Sequence, residues 1–502
     1  MLNEQERKQI VERGSDVAQV EQQIQNFING FPHLDVQRAA SIGDGILRFS
    51  ENEVKQYVEL YIEKSKTKKV IKFVPASGAA SRMFKELFAF LDDNNFDGNK
   101  AIQTFIEGLK DFAFYAQLAN GLESKGVDVE EALATKNYAV IVEELLSADG
   151  MDYGSLPKGL LQFHAYEENS RTPVEEHFSE GAAYAVSAGN TVNLHFTVSP
   201  EHQEKFEKHV GEIKGTFESS AGASFDVSFS QQKKSTDTIA VDMDNKPFVE
   251  DGKILFRPAG HGALLSNLDD LDGDLIFIKN IDNVVPDKLK EPTIVYKKVI
   301  GGVLIELQEE AFALTEKLTT NPDEESVAEA ENFLSRKINL NIPPSYFSQS
   351  SEEKTKYLLS KLDRPIRVVG IVKNTGEPGG GPFWVFDKDG TEAIQIGETA
   401  QINLDDAQQA EMLKNSTHFN PTDIACGTKD RNGKKYDLMS HRDPETGFIA
   451  IKSKSGRELK AQELPGLWNG SMSDWNSVMV EVPLETFNPV KSVNDLLKPA
   501  HQ

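Results

Sequence analysis

The residues Ala76-Ser77-Gly78-Ala79-Ala80-Ser81-Arg82 have the types and spacing of an anion site. They follow an apolar run, Val70 to Val74, that reads as a buried strand. Ser81 is expected to open a helix continuing through Met83, Leu87, Phe88 and Leu91. Where a strand turns tightly into a helix, backbone N–H groups converge and the helix dipole favours negative charge. Arg82 adds a planar fork of donors suited to phosphate oxygens. The same residues would also make an ordinary turn with a surface arginine, because short glycine-containing motifs match by chance. A second stretch runs from Leu156-Pro157-Lys158 through His164 to Arg171-Thr172-Pro173-Val174-Glu175-Glu176-His177. Thr172 reads as an N-cap, Pro173 as the first helical residue and Glu175 as the reciprocal partner of a capping box. That local duty makes the Glu-Glu-His triplet a helix start in preference to a metal site. Lys158 has no such duty.

The elements that must position these residues follow from hydrophobic periodicity. Residues 1–66 are expected to be a helical N-terminal segment, with Ile10, Val17, Val20, Ile24 and Phe27 at helical spacing and Ser50 with Glu53 capping a later helix. A helical stretch 84–156 is expected over Phe84 to Leu91, Ile102 to Leu118 and Ala139 to Leu146. Strand and helix then alternate: Val192 to Val198, Glu201 to Phe217, Phe225 to Phe229, and Leu275 to Ile278 ending at Asn280-Ile281-Asp282. Such alternation predicts an α/β class with a doubly wound, mostly parallel sheet, whose ligands sit beyond the carboxyl ends of the strands. The 75–82 loop and Asp282 both lie at such ends. Residues 67–365 are thus expected to form an α/β core carrying the 84–156 insertion. Residues 366–502 are expected to be β-rich, beginning with a strand Val368 to Val372 and the glycine-rich loop Thr375 to Pro382.

Composition bounds the function. With 39% hydrophobic and 26% charged residues the chain is of the water-soluble globular type, and no apolar run reaches the length of a bilayer span. The polar start, without a signal-peptide core, and a single cysteine, Cys426, lead to the expectation of a cytoplasmic protein without a disulfide framework or a cysteine-based zinc cluster. The balance of 54 Lys+Arg against 79 Asp+Glu, net −25, argues against nucleic acid or anionic membrane as a partner. A polyanionic small molecule would have to be met by a few focused cations.

Four blocks in order resemble nucleotidyltransferases that make sugar nucleotides, and within them UDP-sugar pyrophosphorylases. Gly78-Ala79-Ala80-Ser81-Arg82-Met83 is similar to the first half of a G-x-G-T-R-M signature, and Pro157-Lys158 with the apolar strand expected after it is similar to the P-K half. Lys85 competes for the lysine position but lacks the preceding proline. Pro258-Ala259-Gly260-His261-Gly262 resembles a P-x-G-H-G loop, and Asn280-Ile281-Asp282-Asn283 an N-x-D-N strand end. Pro489-Val490-Lys491 with Asp495-Leu496-Leu497 resembles a P-V-K…D-L-L element. Outside these blocks the chain resembles an uncharacterised bacterial family of the same fold.

The resemblance implies a Rossmann-like nucleotidyltransferase core and a reaction in which a sugar 1-phosphate attacks the α-phosphorus of a nucleoside triphosphate, UTP being the first candidate, and pyrophosphate leaves. Such catalysis is positioning plus charge neutralisation. It implies that Ala76 to Ser81 and Arg82 hold the triphosphate, that Lys158 and Lys491 neutralise charge at the α-phosphate, and that Asp282 binds Mg²⁺. Gly260 and Gly262 would allow close approach to a base, and His261 would donate to a phosphate oxygen. The 375–382 loop, with Glu377 and Gly380, either binds phosphate or is only a connecting loop, and Asn469 is a candidate for the metal or the sugar. Each residue also has a structural alternative: Asp282 a turn cap, His261 an exposed turn residue, Lys491 a surface lysine. One departure bears on activity. Ala80 stands where the signature has its second glycine, and a β-carbon there would resist a positive φ. Two other readings stay open, a glycosyltransferase of the same fold and a non-catalytic nucleotide- or sugar-binding protein.

Overall fold

The computed structural model describes residues 2–78, 80–376 and 379–502. The protein is mixed α/β with a large, mostly parallel central sheet, helices at the N-terminal end and further β sheets in the C-terminal part. The chain divides into two compact units, each assembled from three segments. The first comprises Met1–Lys64, Gln232–Phe277 and Lys298–Val482, and the second Ser65–Gln231, Ile278–Lys297 and Pro483–Gln502.

In the first unit, Gly45–Leu47, Asn476–Glu481 and Ile366–Lys373 run parallel, and His418–Gly427 lies antiparallel beside Ile366–Lys373. A three-stranded sheet of Val36–Ala39, Gly381–Phe386 and Glu392–Gly397 and a four-stranded one that includes Thr238–Val241 and Arg457–Glu463 accompany it. Ser50 and Glu53 cap the helix Glu51–Lys64, as their spacing predicts. The segment 1–66 is not wholly helical, however. Three short strands lie between residues 36 and 47, set off by turns at Gly43 and Gly45, which have φ of 80° and 98°. Val36–Ala39 and Gly45–Leu47 pair with Gly381–Phe386 and Asn476–Glu481, more than 300 residues away, and Ser41–Ile42 adds to Gly45–Leu47, so no local periodicity announces them.

In the second unit, Val70–Pro75, Thr191–Thr197 and Ser224–Ser230 form a parallel ladder in which Phe73 faces His195 and Leu194 faces Val227. The helices Pro173–Tyr184 and Gln203–Ala221 cover it through a core of Val74, Phe178, Leu194, Phe196 and Phe206. The stretch 84–156 has a core of its own, built on Phe84, Phe90, Phe105, Phe114 and Leu118, into which Val490, Val493 and Leu496 of the last segment pack. Three local expectations are corrected. Ser81 lies in a 3-10 turn, Ala80–Arg82, and the α-helix begins only at Lys85. The helix expected from Ile102 to Leu118 stops at Glu107, because Gly108 caps it, and resumes at Tyr115. No strand follows Pro157. Lys158–Leu160 is a 3-10 turn, and the pairing that follows is limited to His164–Ala165.

A buried ionic cluster ties the ladder to its covering helix. Glu180, on the helix Pro173–Tyr184, accepts Lys72 Nζ at 2.8 Å and Lys279 Nζ at 2.7 Å, and all three side chains are essentially inaccessible. Burial alone would raise the Glu180 carboxyl, but the two ammonium groups outweigh it and hold it well below the usual carboxylate range. Burial likewise pushes Lys72 down to about 7, against the pull of Glu180. Glu180→Ala would leave two buried cations without their counter-charge. It is expected to cost about 3–5 kcal/mol, measured by chemical denaturation.

Candidate functional site

Within the second unit the carboxyl end of Val70–Pro75 and the turn after Lys279 meet, because Ile281 N donates to Pro75 O at 3.2 Å. His177 Nε2 donates to Ile281 O at 3.2 Å and fixes the same turn from the covering helix. Asp282 therefore emerges beside the 76–82 loop. Lys158 reaches both places: its backbone N–H donates to Gly78 O at 3.3 Å, and its Nζ lies 2.8 Å from Asp282 Oδ2 and 2.6 Å from Val490 O. The segment 488–493 closes the arrangement. Val490 N donates to Asp282 O, Asn488 N to Asn283 Oδ1, and Val493 N to Met83 O. Residues 76–78, Lys158, 280–283 and 488–493 thus converge in one unit, while the 258–262 block belongs to the first.

The geometry of each residue bears on what it can do. Lys158 is 13% exposed and Asp282 21%, so their ion pair is partly shielded from water yet reachable. An ammonium has three donors. Two are committed to Asp282 and Val490, and one remains for a ligand. Among the described residues Asp282 Oδ1 takes no protein donor, and neither does the exposed Arg82 guanidinium have a hydrogen-bond or ion-pair partner. Ala76 is buried at the strand end, while Ser77, Gly78 and Ser81 are exposed. Lys491 is exposed next to Val490, its backbone N–H held by Asp495 Oδ2 at 2.8 Å. Lys85, the competing lysine, is 81% exposed and among the described residues pairs only with its neighbour Glu86. Ala80 is fully buried in the helical core and its φ is not positive, so its β-carbon imposes no strain. The concern raised by that substitution does not hold in this structure. Ala79 and Glu377 lie outside the described residues.

The remaining candidates gather in the first unit. His261 stacks on Trp468 with ring centroids 4.1 Å apart and accepts from Leu467 N at Nδ1. Its proton therefore sits on Nε2, which faces Glu398 Oε1 at 3.6 Å. Gly260 has φ 76°, and a β-carbon there would fall 2.6 Å from Glu463 Oε2, while one at Gly262 would fall 2.0 Å from Pro465 O. The close approach that these glycines permit is to the chain's own 463–465 stretch. Asn469 is buried, donates to Gln401 Oε1 at 3.3 Å, and leaves its Oδ1 without a partner among the described residues. Gly380 sits against Gly397 and Glu398. Gly260 to Gly262, Gly380 and Asn469 are thus brought together around the turn 397–401.

Sequence reading did not identify the Val490 carbonyl, Glu398, Gln401 or the stacking role of Trp468. Only Val490 carries a signal, its place next to Lys491 in the Pro-Val-Lys block. The Asp-x-Asp spacings at 242–244, 270–272, 272–274 and 387–389 have members committed elsewhere: Asp242 to its own turn, Asp270 to Lys233, Asp272 and Asp274 to Lys429, Asp387 and Asp389 to Lys361. Among the described residues no cluster of three acidic, histidine or cysteine side chains could hold a metal. A single carboxylate with one open oxygen, as at Asp282, fits Mg²⁺, which keeps several waters and takes few protein ligands.

A family model described as "Domain of unknown function (DUF4301)" matches residues 3–502. The chain belongs to the DUF4301 family. No curated protein matches it. Among solved structures the DUF4301 chain is similar to the uridine diphosphate N-acetylglucosamine pyrophosphorylase of Trypanosoma brucei, at 13% identity and a TM-score of 0.50 over 98% of this chain and 76% of that one. A variant of the UDP-glucose pyrophosphorylase of Leishmania major, in complex with UDP-glucose, matches at 12% identity and a TM-score of 0.45, over 99% and 79% of the two chains. The fold is that of UDP-sugar pyrophosphorylases, along the whole chain. No helix among the described residues is long and apolar enough to cross a membrane.

Two glycine substitutions separate folding duty from ligand duty. Gly262→Ala meets backbone at 2.0 Å and is expected to destabilise by about 1–3 kcal/mol. Gly78→Ala meets nothing within 4 Å and should stay within about 0.5 kcal/mol of the parent. Chemical denaturation of both variants checks the contrast.

Proposed function

We propose that this DUF4301 chain is a nucleotidyltransferase that transfers a nucleoside monophosphate from a nucleoside triphosphate, UTP first among them, to a sugar 1-phosphate. One observation carries the reading: Arg82, Lys158 and Asp282 are drawn to one end of the second unit's sheet by backbone ties among four distant segments. A sugar 1-phosphate oxygen is already anionic and needs no general base. It attacks the α-phosphorus in line, the bond from that phosphorus to the bridging oxygen breaks, and pyrophosphate leaves with the electron pair. The protein has to hold the partners in line and offset their charge. In this reading the Arg82 fork and the N–H groups of the exposed Ser77, Gly78 and Ser81 hold the β- and γ-phosphates, those of Ala76 and Ala80 already donating to Thr197 O and Leu156 O. Lys158 offers its third N–H to the α-phosphate, with Asp282 and Val490 O fixing its direction, and Lys491 adds charge from the neighbouring position.

Mg²⁺, held by Asp282, would supply further neutralisation of the triphosphate. In the first unit, taken by itself, the 260–262 turn with His261 is assigned to a nucleotide, and Gly380 and Asn469 to a sugar or its phosphate. His261 offers Nε2–H, and Asn469 an amide whose oxygen is still unsatisfied.

Pyrophosphate release, measured with each nucleoside triphosphate against a panel of sugar 1-phosphates in Mg²⁺, tests the reading. Release with at least one pair is expected. Lys158→Ala or Asp282→Ala should then lower kcat by about 10²–10³-fold, and an Asp282→Ala rate near the parent's would refute the metal assignment. No release with any pair refutes the transferase. Stabilisation by UTP in a thermal-shift experiment would then make the chain a nucleotide-binding protein.

A further inference from the structure

The segment 483–502 brings Val490 and Lys491 to the Lys158–Asp282 pair, and its far end is fastened by a buried pair of histidines. His501 Nδ1 lies 3.0 Å from His164 Nε2, with the rings near-parallel at 13° and 5.3 Å between centroids. His164 Nδ1 lies 2.9 Å from Glu176 Oε1. Glu176 is inaccessible and also takes Tyr166 Oη at 2.8 Å and the Lys290 ammonium. Burial raises its carboxyl, but the His164 hydrogen bond and the Lys290 charge outweigh it and keep it ionised. Around this carboxylate stand Arg171 and, on Arg171 and Lys290, Asp287. From the segment itself Asp495 and Lys498 act on His501.

Counting protons shows what this chain of bonds tolerates. With both rings neutral, His164 gives its Nδ1 proton to Glu176 and accepts from His501 Nδ1. One added proton leaves the His–His bond in place, since the resulting cation is balanced by the Glu176 carboxylate. A second added proton puts N–H groups on both facing nitrogens. The bond is then lost and two cations confront each other in a buried place. We propose that residues 483–502 form a pH-gated strap, fastened by the His164–His501 bond and released by acidification, which withdraws Val490 and Lys491 from Lys158 and Asp282.

The direction follows from linkage. Burial first, and then the neighbouring His164 ring, push His501 down to about 4, with Asp495 opposing. A released His501 titrates near its ordinary value, so the fastening is complete above about pH 6.5 and is lost as pH falls toward 4. Between pH 8 and pH 5 the opening equilibrium should rise about 30-fold.

Backbone hydrogen exchange of the full chain, corrected for intrinsic rates, reads the strap at Val490 N–H and Val493 N–H, which donate to Asp282 O and Met83 O. Protection of these two amides should fall about 30-fold from pH 8 to pH 5, while amides within Val70–Pro75 keep theirs. Equal protection at both pH values would overturn the proposal. In His501→Gln, whose amide can bond His164 but cannot titrate, the pH dependence should vanish, and its persistence would also overturn it. Exchange at the histidine C2–H in the unmodified protein needs no variant: His501 should titrate well below its ordinary value, and an ordinary value would refute the gate.

Discussion

One buried carboxylate sets the position of the end of the second unit's sheet where Lys158 meets Asp282. Glu180 accepts ammonium groups from Lys72, three residues before its strand ends at Pro75, and from Lys279, the last residue of its strand, on the way to the 76–82 loop and to Asp282. Charges this deep are tolerated only when paired in good geometry. The pairing therefore fixes where both strands lie against the helix Pro173–Tyr184. His177, one turn earlier on that helix, also takes hold of the Ile281 carbonyl. The result is a turn whose backbone is held from two sides and whose one projecting carboxylate, Asp282, meets Lys158. A preorganised arrangement of this kind costs little reorganisation when a charged ligand arrives.

The segment 483–502 completes that arrangement from a distance. Its apolar side chains Val490, Val493 and Leu496 enter the core of the helical stretch, and its backbone donates to Asp282 and Met83. The helical stretch 84–156 therefore has a duty beyond its own packing: it seats the segment that supplies the Val490 carbonyl to Lys158. A lysine with two of its three donors fixed by a carboxylate and a carbonyl is aimed, where a surface lysine would sample many rotamers.

What was legible in the sequence was local. Thr172, Pro173 and Glu175 specify a helix start by their spacing, and the capping box forms with Thr172 N 2.8 Å from Glu175 Oε2. The run Leu275 to Ile278 reads as a buried strand because every position is apolar, and Asp282 follows as its end. The fold class followed from that alternation. What was not legible depends on distant partners. The strands Val36–Ala39 and Gly45–Leu47 are formed by pairing with residues 381–386 and 476–481. Whether Ala80 was tolerable depended on a backbone angle that a signature comparison does not supply, and the 3-10 turn there needs no glycine. The fastening of His501 to His164 spans 337 residues and leaves no spacing to read.

The central claim is that the loops at the carboxyl ends of the second unit's strands hold a triphosphate. The most direct measurement is a crystal structure of the protein with a non-hydrolysable α,β-methylene analogue of UTP and Mg²⁺. Phosphate oxygens against the 76–82 loop, Arg82 and Lys158, with the metal on Asp282, are the predicted result. An analogue bound with its phosphates away from Lys158 and Asp282, or failing to bind at concentrations that saturate a nucleotide site, would contradict the account.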